Sequence, residues 1–170
     1  MRAIVAVDAE WGIGAKNDLL FSLPLDMCRF RTITTGAVVL MGHNTLLSLP
    51  GAKGLRGRTN IVLAPVGTVA EDCTVVHTLG ELAALAESFG DRPVYVIGGA
   101  MLYRTMLPYC HEVLVTKVDA VGGATVFFEN LDENPSWELT ATESSVVDNG
   151  HVTTYCTYTN RNPLPLGSIA

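Results

Sequence analysis

The chain is poor in charge, in aromatic rings and in long apolar runs. Lysine, arginine, aspartate and glutamate make up 16% of its 170 residues and the aromatic residues only 7%. Basic residues number 11 against 17 acidic ones, a net charge of −6. That balance lacks the positive surface that nucleic acid or an anionic membrane requires, so neither is expected as a partner. No apolar run approaches the roughly 20 residues needed to cross a bilayer, and the first residues carry neither the cationic start nor the cleavage site of a secretory signal. A cytoplasmic protein is expected. Cys28, Cys73, Cys110 and Cys156 form no C-x-x-C pair, and His43, His77, His111 and His151 are equally dispersed. Neither a disulfide frame nor a metal site is expected. The chain has no internal repeat or low-complexity tract, and nothing in it requires more than a monomer.

What is present is apolar: hydrophobic residues make up 48%, enough for one well-packed domain. Residues 1–160 read as that domain and 161–170, with two prolines and no periodicity, as a frayed tail. Ala3–Val7, Ala37–Met41, Ile61–Ala64 and Val94–Ile97 are short β-branched runs without polar alternation, as expected of parallel strands covered on both faces. Helical segments fall between them. The clearest is Leu79–Phe89, where Thr78 and Glu81 form a T-x-x-E capping box and Gly90 suits the stop. Near the end, Trp137–Glu143 and His151–Thr159 alternate with period two, and Asn149-Gly150 signals a hairpin between them. The pattern is an α/β fold: a mostly parallel sheet flanked by helices and finished by an antiparallel hairpin.

One acid stands out. Pro24 fits a first helical position, which places Asp26 in the first turn with Phe30 and Ile33 on the same face. An acid is welcome there because the helix dipole is positive, and that reading suffices for most such acids. Yet Leu19, Leu20, Phe21, Leu23, Leu25 and Met27 surround it in sequence, and a carboxylate among apolar side chains has its pKa raised, as binding and catalytic acids do. Glycines gather in three loops: Glu10–Asn17, Pro50–Arg58 and Gly98-Gly99-Ala100. The last follows a strand and opens a helix, which fits either a tight turn or a phosphate cradle.

Six elements in order resemble the dihydrofolate reductases: Ile13-Gly14 with Asn17, Leu23-Pro24 with Asp26 and Phe30, Met41-Gly42 with Thr45, Gly57-Arg58 with Asn60, Ile97-Gly98-Gly99 with Tyr103, and Thr116 before Asp119-Ala120. The resemblance spans about the first 125 residues. It implies a single-domain fold with a mostly parallel eight-stranded sheet, about four helices, and hydride transfer from a reduced nicotinamide to C6 of 7,8-dihydrofolate with protonation at N5. Asp26 matches the acid that receives the pterin 2-amino group and N3, and Thr116 the hydroxyl bridging to it. Ile4 and Ile97 would offer backbone carbonyls, with Val5 beside them, and Met27, Phe30 and Leu49 would line the walls. Arg58 matches the guanidinium that grips the glutamate α-carboxylate in a fork. For the cofactor, Gly42, His43, Asn44 and Thr45 with Gly98, Gly99, Ala100, Met101 and Leu102 match the pyrophosphate and ribose side, and Tyr103 the nicotinamide. Ala6, Ile13, Gly14, Asn17 and Leu19 would frame the nicotinamide and the Trp11–Leu19 loop. Leu63, Ala64 and His77 match the adenosine side.

The chain departs from the family pattern in two places. Phe21 stands where members carry tryptophan, so proton delivery at the catalytic face loses an indole N–H. Around the cofactor 2′-phosphate it has His43, Ala64-Pro65, His77 and Met101 in place of arginines and serines. An imidazole with an unperturbed pKa of about 6.5 is only partly charged at neutral pH, so the resemblance implies NADPH, with NADH also used and the preference for NADPH stronger in acid. The alternative activity is the pyrimidine-riboside reductase of riboflavin synthesis, which shares the fold but has no pterin to meet Asp26.

Overall fold

A computed structural model describes residues 1–169; Ala170, the last residue of the expected tail, lies outside the described residues. The elements run β1 (Arg2–Val7), β2 (Gly12–Gly14), α1 (Pro24–Thr34), β3 (Val38–Gly42), α2 (His43–Ser48), β4 (Thr59–Leu63), β5 (Cys73–Val76), α3 (Leu79–Glu87), β6 (Val94–Gly98), α4 (Ala100–Met106), β7 (Glu112–Val118), β8 (Val126–Phe127), β9 (Trp137–Thr142), β10 (Val146–Asp148) and β11 (His151–Asn160). Eight strands lie side by side in the order β10-β11-β7-β1-β6-β3-β4-β5. β9 shares the outer edge of β11, pairing with its second half while β10 pairs with its first. All pairs from β7 across to β5 are parallel, and β11 is antiparallel to β7.

The apolar runs became strands because both faces of the sheet are covered. In β3, Val38, Val39, Leu40 and Met41 are all 0% exposed, which leaves no face on which polar alternation would be useful. The main core lies on one face, where Trp11 stacks on Phe128 at 6.2 Å and meets Tyr158 edge-on at 5.8 Å. A smaller cluster of Ile4, Ala37 and Tyr95 receives Phe30 and Ile33 from α1. In α3 the Thr78 hydroxyl accepts from the Glu81 backbone N–H at 3.1 Å, but the Glu81 carboxylate accepts from the N–H of His77, one residue before the position a capping box uses.

Several expectations are corrected. The tight turn Asn149-Gly150, with φ of 50° and 82°, joins β11 to the three-residue β10 and not to β9; both turn residues take the positive φ that a two-residue hairpin of matching twist needs. β5 and the β2–β8 pair carried no clear period in so few residues. The segment from Arg161, expected to fray, lies against the body: Leu166–Ser168 forms a 3-10 turn, and Leu166 and Ile169 pack on the main core because α3 leaves apolar surface there.

Candidate active site

The carboxyl ends of β1, β3, β4 and β6 lie along one edge of the sheet. β3, β4 and β5 are laid down outward, β6 then returns between β1 and β3, and β7 goes to the other side of β1. A parallel sheet that changes direction in this way opens a crevice beyond its strand ends. A cavity of about 40 Å³ lies there, lined by Ala6, Asp8, Ile13, Leu20, Phe21 and Asp26 among others.

Asp26 enters this crevice from the first turn of α1. Its Oδ1 accepts the Thr116 hydroxyl at 2.6 Å, and Thr116, 3% exposed, sits in β7 between Ala6 of β1 and Tyr155 of β11. Burial raises the Asp26 carboxyl above its ordinary 3.8; the Thr116 bond and the Arg29 charge work against that rise, and Asp148 adds to it. Among the described residues no basic side chain pairs with Asp26. Arg29 is turned to Glu143 at 3.4 Å and lies over the Tyr155 ring at 4.1 Å. A half-buried acid with one hydroxyl and no cation has acceptor capacity left for a ligand.

The apolar surround is thinner than the sequence suggested. Leu20, Leu23, Phe21 and Met27 line the cavity, but Met27 is 52% and Leu19 66% exposed, which puts them on the rim. Leu25 is 52% exposed and faces solvent, because one residue along a helix turns a side chain by about 100°. Phe21 packs on the His151 ring at 4.7 Å. Val5 and Ile4 are buried in β1, Phe30, Leu49 and Ile97 are half-buried at the cluster edges. The Ile4 carbonyl already accepts the Tyr103 hydroxyl at 2.7 Å, with a second lone pair free. Arg58 donates to Thr34 Oγ1 at 3.2 Å and to the Arg56 carbonyl at 2.9 Å. No carboxylate pairs with it among the described residues.

On the other side of β6, backbone approaches backbone. Gly98 has φ of +132°, and a Cβ there would stand 3.0 Å from Thr45 Oγ1 and 3.6 Å from the Tyr103 ring, so only glycine fits. Gly42 and Gly99 precede α2 and α4, and neither helix start has a side-chain cap, which leaves the N–H groups of His43, Asn44 and their counterparts after Gly99 open to an anionic group. These features fit the diphosphate of a dinucleotide. Ala100 takes helical backbone, so the missing third glycine costs nothing. Leu102 is 3% exposed and faces the core, leaving only its backbone for a ligand, while Met101 is 72% exposed. Leu63 and Ala64 end β4, and the Ala64 carbonyl accepts from Nδ1 of His77 at 2.9 Å.

The loop after β1 is tied down at its start. Trp11, the first residue of the Trp11–Leu19 loop, is 6% exposed and belongs to the core. Gly12 and Ile13-Gly14 pair with β8, and only Lys16 to Leu19, including Asn17, lie in the open. Two buried acids were missed. Asp8, 3% exposed, accepts from the backbone N–H groups of Glu10, Gly12 and Gly122 at 2.9, 2.7 and 2.9 Å. Burial disfavours its charge, but these three bonds outweigh burial and hold the carboxyl below 3.8. Asp148, 1% exposed, accepts from the backbone of Leu25 and Asp26. The only signals in sequence were an acid closing the apolar run of β1 and an acid preceding Asn-Gly.

The family model described as dihydrofolate reductase matches residues 1–161. A dihydrofolate reductase of Bacillus subtilis is 34% identical over 146 residues, covering 85% of this chain and 84% of the relative. One from Neisseria gonorrhoeae is 34% identical over 158 residues, covering 91% and 95%. Among solved structures, a dihydrofolate reductase from Enterococcus faecalis complexed with NADP(H) and RAB-propyl superposes with a TM-score of 0.84 at 30% identity, covering 95% of this chain and 96% of that one.

Proposed function

The chain belongs to the dihydrofolate reductase family, and from that premise we propose how its own residues reduce 7,8-dihydrofolate with NADPH. The observation that carries the reading is the half-buried Asp26, bonded to Thr116 at 2.6 Å and free of any cation partner among the described residues. Two carboxylate oxygens facing the 2-amino group and N3 of a pterin give a bidentate pair, which fixes orientation as well as affinity. Thr116 holds that carboxylate in plane and bridges to the amino group. Arg58, with no acid of its own, takes the α-carboxylate of the glutamate tail.

Gly42, Thr45, Gly98 and Gly99 would hold the dinucleotide diphosphate, and Ala6, Ile13 and Tyr103 would border the nicotinamide. Bound there, the cofactor supplies the hydride that C6 of the pterin accepts. The chain's part is to align the two rings at near contact, exclude water with the Leu20–Phe21 wall, and leave N5 open to a proton. Asp26 binds and polarises the pterin and does not itself reach N5; the proton comes through water, with Phe21 unable to order it by hydrogen bonding. With His43, Ala64, His77 and Met101 in place of arginine or lysine around the 2′-phosphate, NADH would also be used, with NADPH preferred. A cytoplasmic monomer completes the reading; no helix among the described residues is long and apolar enough to cross a membrane, and elution as a single chain would check the oligomeric state.

The direct test follows loss of NADPH absorbance with purified chain, with and without dihydrofolate. Oxidation that depends on dihydrofolate is expected, and oxidation only with a pyrimidine riboside would reverse the assignment.

A further inference from the structure

We propose that Asp148, at the tip of the β10–β11 hairpin, is a positioning residue for the reaction: its carboxylate holds the first turn of α1 so that Asp26 meets the pterin. This deepens the reading above and rests on it.

Counting the backbone donors at the start of α1 leads there. Pro24 has no N–H, Met27 N–H bonds to the Leu23 carbonyl at 2.9 Å, and Leu23 supplies no side-chain cap. The two remaining donors, Leu25 and Asp26, both go to one carboxylate, Asp148 Oδ1 at 3.1 Å and Oδ2 at 3.0 Å. A helix that needed only capping would carry Ser, Thr, Asn or Asp at its own N-cap. Here the cap comes from a residue more than a hundred positions away, so the pose of the helix start depends on where the hairpin sits. The same hairpin tip makes two more contacts with the segment leading into α1. Asn149 Nδ2 donates to the Ser22 carbonyl at 2.8 Å, and the His151 ring packs on Phe21.

Asp26 is thus held at both ends from one edge of the sheet. Its main chain is bound to the hairpin, and its side chain to Thr116, which pairs in register with Tyr155 of β11. The groups facing its carboxyl are Thr116 of β7, Arg29 of α1, Tyr155 of β11 and Asp148. Asp148 has no cation partner among the described residues, so its charge opposes ionisation of Asp26. It acts on the substrate acid in two ways, through geometry and through field.

The test is Asp148→Asn, whose amide accepts with one oxygen and carries no charge. The KM for dihydrofolate is expected to rise about tenfold with kcat changed much less, the pattern of lost ground-state binding. NADPH affinity, read by fluorescence, is expected to stay within about twofold, since the Asp148 carboxylate bonds to Leu25 and Asp26 and to no residue assigned to the cofactor among the described hydrogen bonds. The acid limb of kcat/KM should move to lower pH, because removing a negative neighbour eases ionisation of Asp26. An unchanged KM and an unmoved pH profile, with only the thermal midpoint lowered, would reduce Asp148 to a structural cap and overturn the proposal. Should the variant fail to fold, amide hydrogen exchange in the unmodified protein decides. Added folate should slow Leu25, Asp26 and the amides of Val146–Asp148 together, and slowing confined to α1 would overturn it. If the unmodified chain does not oxidise NADPH with dihydrofolate, the functional reading fails instead, while exchange at Leu25 and Asp26 in Asp148→Asn still reports whether the hairpin holds the helix.

Discussion

Asp26 and Asp8 lie in one cavity and depend on pH in opposite senses. Burial raises the Asp26 carboxyl above 3.8, so its folded form resists ionisation and its contribution to stability is full below that value and lost as pH rises through the folded pKa. Asp8 is held below 3.8 by three backbone N–H groups, so its contribution is present above that value and lost as pH falls through the folded pKa. Asp26→Asn should therefore fold, bind NADPH and melt at a higher temperature than the parent at pH 7, with the difference vanishing below about pH 4, while losing most dihydrofolate turnover at neutral pH. Equal melting temperatures across that range would contradict the assigned direction. His77 supplies a second test. Its Nδ1 lies 2.9 Å from the Ala64 carbonyl, which can only accept, so Nδ1 donates there and Nε2 is the ring nitrogen left for a ligand. Such a nitrogen suits a ribose hydroxyl, whereas a phosphate is better met by a fixed guanidinium. The ratio of NADPH to NADH affinity, measured by titration, should rise about tenfold in His77→Arg, and an unchanged ratio would place the 2′-phosphate elsewhere.

Among the elements, the loop after β1 matters most, because its two halves behave differently. The half from Asp8 to Gly14 is pinned: β2 pairs with β8, Ala9 N–H bonds to the Ala120 carbonyl at 2.9 Å, and Asp8 bridges to Gly122. Gly12 has no room for a side chain, since a Cβ would fall 2.4 Å from that of Ala124. The half from Lys16 to Leu19 is exposed, and its backbone ties are local ones, between Ala15 and Asp18 at 3.2 and 3.1 Å. Asp8→Ala leaves three backbone donors without their acceptor, a cost of about 2–4 kcal/mol. The expected result is a lower denaturant midpoint at unchanged slope and faster hydrogen exchange at Gly12 and Gly122. Retained protection at both would show that the strand pairing alone suffices. None of this was legible in EWGIGAKN, whose glycines announce a loop but not its partner, which lies more than a hundred residues on.

For the molecule as a whole, the crevice at the carboxyl ends of the strands is far from the packing at their amino ends. There Leu166 and Ile169 of the terminal segment pack on the main core, and Leu164 N–H bonds to the Pro108 carbonyl at 3.0 Å. Truncation after Asn162 should lower stability by about 1–3 kcal/mol, the cost of uncovering one or two aliphatic side chains. It should leave the KM for dihydrofolate unchanged; a raised KM would mean that the two ends are coupled. The parallel strands, α1 beginning at Pro24, the hairpin turn at Asn149-Gly150 and the acid at Asp26 were determined by the sequence alone, because each is set by hydrophobic period, proline, glycine or local backbone preference within a few residues. Tertiary structure alone decided which strand the hairpin joins, where residues 161–169 lie, that Leu25 faces water, and that Asp8 and Asp148 serve backbone donors far along the chain. A buried acid's partner is chosen by whatever the fold brings within 3 Å, and no local pattern records it.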